Sequence, residues 1–99
     1  MLLVVFRSSM TADVVDALSK LGVDAYTDLP RVRGIGRSGA ALDAFPWPAT
    51  NSVILAALES DQARTVIEGL HRFRDAAKER QQGAHIALRV FTLPCVQVL

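Results

Sequence analysis

The chain is 99 residues long with a formal net charge of +1; 51% of its residues are hydrophobic and 21% are charged. That length fits one domain, residues 1–99, large enough to bury a core and small enough for association to add stability. The balanced charge excludes a general nucleic-acid binder, which carries a basic stripe, and the single cysteine, Cys95, excludes an internal disulfide.

Leu2-Leu3-Val4-Val5-Phe6, ended by Arg7, is too short for a membrane span or a signal sequence, so the chain is read as soluble and cytoplasmic. The run predicts instead a strand over 2–7, buried on both faces in the middle of a sheet. Thr11 as N-cap, Asp13 in the first turn, a Met10–Val15 staple and a closing Gly22 delimit a helix over about 12–22. Val14, Val15, Leu18 and Leu21 fall on its apolar face. Residues 23–33 alternate loosely and predict a second strand, in which Pro30 marks an edge, a bulge or a break. Residues 51–58 predict a third, buried strand. Ser60 caps a second helix with an apolar stripe of Ala63, Val66, Ile67, Leu70, Phe73 and Ala77 and a solvated side of Arg64, Glu68, Arg72 and Asp75. Gln81-Gln82-Gly83 ends it, and residues 85–93 predict a fourth strand before Pro94 and an apolar tail. The order strand, helix, strand, strand, helix, strand is the split βαβ, ferredoxin-like pattern of the α+β class: an antiparallel sheet with two helices on one face.

Between the second and third strands stands Arg31-Val32-Arg33-Gly34-Ile35-Gly36-Arg37-Ser38-Gly39, three arginines and three glycines in nine residues. Glycine lets a backbone approach a ligand closely and aim several N–H groups at one anion, and arginine adds a fork that matches phosphate or carboxylate. The stretch is either an anion cradle at the base of a loop or a flexible loop with solvated arginines. Gly34, Gly36 and Gly39 satisfy G-x-G-x-x-G, but no helical pattern follows, so a dinucleotide fold is excluded. The connection runs to about Thr50, far longer than a hairpin needs. Its 38–50 portion, with two prolines and no ladder pattern, is expected to be mobile without ligand.

Little else carries chemistry. His71, His85 and Cys95 lack metal-site spacing, so no metal site is predicted. Ser8, Ser9 and Ser38 have no nearby histidine to serve as base, and no enzymatic activity is predicted. Cys95 reads as a small packed hydrophobe. Trp47, between Pro46 and Pro48, reads first as a loop anchor and second as a contact for a partner or ligand.

In sequence order, four blocks resemble the PII-type signalling proteins. Thr11 to Leu18 with Leu21-Gly22 is similar to the family's first helix, and Val32-Arg33-Gly34-Ile35-Gly36-Arg37 to the base of its T-loop. Asp61-Gln62 with Val66 to Leu70 is similar to the second helix, and Arg89 to Pro94 to the strand after the B-loop. The resemblance implies a homotrimer that binds ADP or ATP as effector in the clefts between subunits, with no tightly bound cofactor. It implies a loop that reports the bound state to a membrane transporter or an enzyme. By position, Gly34, Ile35, Gly36 and Arg37 would border the nucleotide, and Arg89 would stand in for the B-loop lysine that meets phosphate.

The chain departs from the family pattern in several places. The loop after Arg37 is shorter and lacks the modified tyrosine motif, Asn51 replaces a lysine, and Gln81 to His85 replaces the glycine-rich B-loop. These changes point to a diphosphate-type mode or another anion. Trp47-Pro48-x-x-Asn51 is similar to PII-like groups linked to inorganic-carbon or cation transport, which implies bicarbonate as a second effector. Ser38, Gly39, Trp47 and Asn51 would then serve the partner side of the loop. The alternative is a trimer responsive to copper or another divalent cation, of the copper-tolerance type with the same fold.

Overall fold

The computed structural model describes residues 1–33, 50–83 and 85–99. In chain order the elements are β1 (Leu2–Arg7), a 3₁₀ turn (Ser8–Met10), α1 (Thr11–Lys20), β2 (Thr27–Val32), β3 (Asn51–Ala56), α2 (Ser60–Arg80) and β4 (Leu88–Thr92). The strands form one antiparallel sheet in the order β2-β3-β1-β4. This is the ferredoxin-like α+β arrangement expected from the element order.

β1 is central, as expected, but it is not buried on both faces. Leu2, Val4 and Phe6 are fully buried, whereas Leu3, Val5 and Arg7 are half-buried. β3 alternates in the same way, with Ser52, Ile54 and Ala56 inward. The reason is that both helices lie on one face: Val14 and Leu18 of α1 and Val66, Leu70 and Ala77 of α2 share one core with Leu2, Val4, Phe6, Ile54 and Ala56. The continuous apolar runs of β1 and β3 therefore supply two faces, only one of which the helices cover.

The helix ends differ from the sequence expectation. Thr11 does not cap α1; it is the first helical residue, and its Oγ1 donates to the Ser8 carbonyl (2.7 Å), closing the 3₁₀ turn that leads in. Ser60 likewise is the first residue of α2, with Glu59 at the cap position and no side-chain cap bond. The C-terminus of α1 is a Schellman motif: the Gly22 N–H donates to Ser19 O (3.0 Å) and the Val23 N–H to Leu18 O (2.9 Å), with Gly22 at φ +90°. Val23 is 2% exposed because it packs back under this cap, not because it belongs to a strand. β2 therefore begins at Thr27 rather than at residue 23. α2 ends in the same motif, but with Gln82 (φ +57°) in the left-handed position.

β2 is an edge strand, and Pro30 sits both at that edge and in a bulge. Leu29 pairs with Val53 and Val32 with Asn51, so β2 carries one extra residue there, and Arg31 adopts φ +56°. β3 ends at Ala56 and β4 starts at Leu88, each shorter than expected. Cys95 is exposed, not packed, since the tail beyond Thr92 does not return over the core.

Candidate functional site

Four strand termini converge at one end of the sheet. The antiparallel registers set the last residue of β1, Arg7, opposite the first of β3, Asn51, and Val32 at the end of β2 also pairs with Asn51. The first residue of β4, Leu88, lies opposite Phe6. The connection between β2 and β3 leaves and returns at this end, through Arg33 and Thr50.

Hydroxyl groups lock the return point. The Ser8 N–H donates to Thr50 O (2.9 Å), Thr50 Oγ1 donates to Ser8 Oγ (3.0 Å), and Ser8 Oγ lies 2.8 Å from Ser52 Oγ. Ser52 is 2% exposed, and this contact satisfies a hydroxyl that would otherwise be buried without a partner. The three hydroxyls are engaged with one another, so their role here is to fix the strand ends.

The open face of the sheet carries charge at the same end. Directly opposed residues share a face, so Arg7, Asn51, Val53, Val5 and Arg89 all lie on the side away from the helices. Arg7 is opposite Asn51, and Arg89 is opposite Val5, one step diagonally from Arg7. Among the described residues neither guanidinium makes an ion pair; the pairs present are Lys20–Asp16, Arg64–Asp61 and Arg74–Asp75, all on the helices. Beyond this end the face is apolar: Leu3, Val5, Val53 and Leu55 are half-buried, and Leu29 and Phe91 are 43% and 48% exposed.

Of the residues singled out in the sequence, the structure brings Asn51 and Arg89 to this one end, on the same face. Gly34, Ile35, Gly36, Arg37, Ser38, Gly39 and Trp47 lie outside the described residues, as does most of the expected 38–50 loop. Arg7, Ser8, Thr50 and Ser52 were not singled out as a group. Two-residue alternation from Leu3 and Val5 was the signal that places Arg7 on the open face.

A groove of about 640 Å³ runs between α2 and the free edge of β4, lined by Leu70, His71, Arg74, His85, Ile86 and Arg89 among others. His71 and His85 thus share a wall, with Arg74 Nη2 3.2 Å from His71 Nδ1. Cys95 is not part of that wall, and no group of three metal-ligating side chains occurs among the described residues. Among those residues no helix is long and apolar enough to cross a membrane.

The model of the nitrogen regulatory protein P-II family matches residues 1–98. Among solved structures, CPII from Thiomonas intermedia K12, a nitrogen regulatory PII-like protein bound to ADP, AMP and bicarbonate, superposes with a TM-score of 0.63 at 22% identity, covering 91% of this chain and 78% of that one. CPII bound to ADP and bicarbonate gives a TM-score of 0.64 at 21% identity, over the same 91% and 78%. A PII-like signalling protein from Thermus thermophilus gives 0.53 at 16% identity, covering 91% of this chain and 79% of that one. No curated protein sequence matches the chain. The four-stranded sheet, the two helices on one face, the long connection at one sheet end and the match over nearly the whole length lead to one conclusion: the chain belongs to the nitrogen regulatory protein P-II family.

Proposed function

We propose that the chain is a non-enzymatic, PII-like signalling protein of one domain that assembles as a homotrimer. It binds an adenine nucleotide, ADP or ATP, together with bicarbonate, at subunit interfaces in the cytoplasm. The nucleotide is bordered by Gly34, Ile35, Gly36 and Arg37, with Arg89 on its phosphates. The bound state is reported through Ser38, Gly39, Trp47 and Asn51 to a transporter or enzyme. The observation that carries this reading is positional. Arg33 and Thr50, which flank the 34–49 connection, and Arg89 on β4 all occur at one end of one sheet. CPII, of similar fold, is seen with ADP, AMP and bicarbonate.

Isothermal titration with ADP and ATP, with and without bicarbonate, tests the reading. A charge-assisted hydrogen bond contributes about 1.5–3 kcal/mol, so Arg37→Ala and Arg89→Ala should each weaken nucleotide binding by roughly 10- to 150-fold. Arg64→Ala, on the exposed side of α2, should leave it unchanged. Equal affinity in wild type and both arginine variants would remove the nucleotide site from this end of the sheet.

A further inference from the structure

The β1–β3 ladder ends at the pair Arg7 and Asn51, and antiparallel strands are free to part beyond their last pair. Here they do not. One residue further, the Ser8 N–H donates to Thr50 O (2.9 Å), and Thr50 Oγ1 donates to Ser8 Oγ (3.0 Å). Ser8 Oγ is also 2.8 Å from Ser52 Oγ, the one hydrogen-bond partner that the Ser52 hydroxyl has among the described residues. Ser52 is 2% exposed, so it cannot turn to water instead.

The same residue reaches α1. Met10, at the N-cap position of α1, makes no side-chain cap bond. The first turn is tied down by Thr11, whose Oγ1 donates to the Ser8 carbonyl (2.7 Å). Ser8 therefore uses its N–H, its carbonyl and its hydroxyl at once, and each joins a different part: the return of the β2–β3 connection at Thr50, the start of α1, and the buried side of β3. A hydroxyl with one proton and two lone pairs can serve both Thr50 and Ser52. Parts that share one such residue have no reason to loosen separately.

We propose that Ser8 is the pin of a latch. Thr50, the 3₁₀ turn Ser8–Met10 and the first turn of α1 open and close as one unit, held by the Ser8 hydroxyl, so a displacement of Thr50 is passed to α1. Ser8 is a positioning residue in this device and touches no ligand. The latch does not depend on the nucleotide reading above.

Residue-resolved amide hydrogen exchange on the full chain tests it. The Ser8 amide reports its bond to Thr50. The amides of Val15 and Asp16, whose helical bonds close on Thr11 and Ala12, report the start of α1. Leu70, 2% exposed in the core, reports global unfolding. In the wild type the first three should share one opening constant, larger than that of Leu70. Ser8→Ala strands the buried Ser52 hydroxyl and should raise all three by a common factor, roughly 5- to 150-fold. Ser8→Thr keeps the hydroxyl and should stay near the wild type. Thr50→Val, an exposed position that leaves the Ser8–Ser52 contact in place, should give a smaller rise, again shared by all three. Circular dichroism checks that each variant is folded, and Thr50→Val serves if Ser8→Ala is not. A rise at Ser8 in Thr50→Val without one at Val15 and Asp16 would show that the parts open independently and would overturn the latch. So would wild-type amides that open only together with Leu70, or a folded Ser8→Ala chain that exchanges as the wild type does.

Discussion

On one face of the sheet Leu2, Val4, Phe6, Ile54 and Ala56 are at most 1% exposed beneath the two helices. On the other, Leu3, Val5, Val53 and Leu55, from the same two strands, are half-buried by their sheet neighbours, and neither helix covers them. The residues on the two faces are chemically alike, so the difference lies in what covers them. One face makes the fold of the single chain; the other is an apolar surface ending in Arg7, Asn51 and Arg89, which suits association and ligand binding. Substitutions at alternate positions of one strand should therefore separate stability from assembly.

The largest expected effect is on the covered face. Phe6→Ala removes a ring that is 1% exposed and should cost about 3–5 kcal/mol of stability by denaturant unfolding. One position earlier, Val5→Lys should leave the far-ultraviolet circular dichroism of the chain unchanged while abolishing its association, because an unpaired ammonium opposite Arg89 in an apolar interface costs several kcal/mol. A Val5→Lys chain that still sediments as the wild type does would break the comparison. Smaller effects come from the helix ends. Gly22→Ala places a Cβ at φ +90° and should destabilise by about 1–2 kcal/mol, although nothing lies near enough to clash. Gln82→Gly relieves the same left-handed strain at the end of α2 and should stabilise by about 0.5–1 kcal/mol, part of the relief being offset by the freedom glycine gains in the unfolded chain. Arg64→Ala, whose nearest carboxylate contact to Asp61 is 3.9 Å and exposed, should shift stability by less than about 0.5 kcal/mol.

The fold was readable because its strongest signals are periodic. The 21 residues of α2 repeat the helical stripe of Val66, Leu70 and Ala77 long enough to leave no ambiguity. Errors arose where one local signal had two physical causes. Val23 continues an alternating pattern into Thr27, but it is buried as the residue that closes the α1 cap. Cys95, Val96 and Val98 look like core by composition, yet they are exposed, since hydrophobicity says nothing of whether the chain turns back. Gly69 is buried, and a Cβ there would lie 2.6 Å from Leu21 Cδ1; this contact between α2 and the C-terminal cap of α1 has no mark in the sequence. The site was less readable than the fold. Arg7 looked like the terminator of an apolar run. Placing it beside Arg89, 82 positions away, requires the β1–β4 register, which no local pattern contains. Asn51 and Arg89 came into view only through the resemblance of their flanking blocks to a family.

Sedimentation velocity of the full chain at micromolar concentration tests most directly whether the uncovered face is an assembly surface. A single species at three times the 10.7 kDa chain mass is expected, converted to monomer by Val5→Lys. A wild-type chain that sediments as a monomer would contradict it.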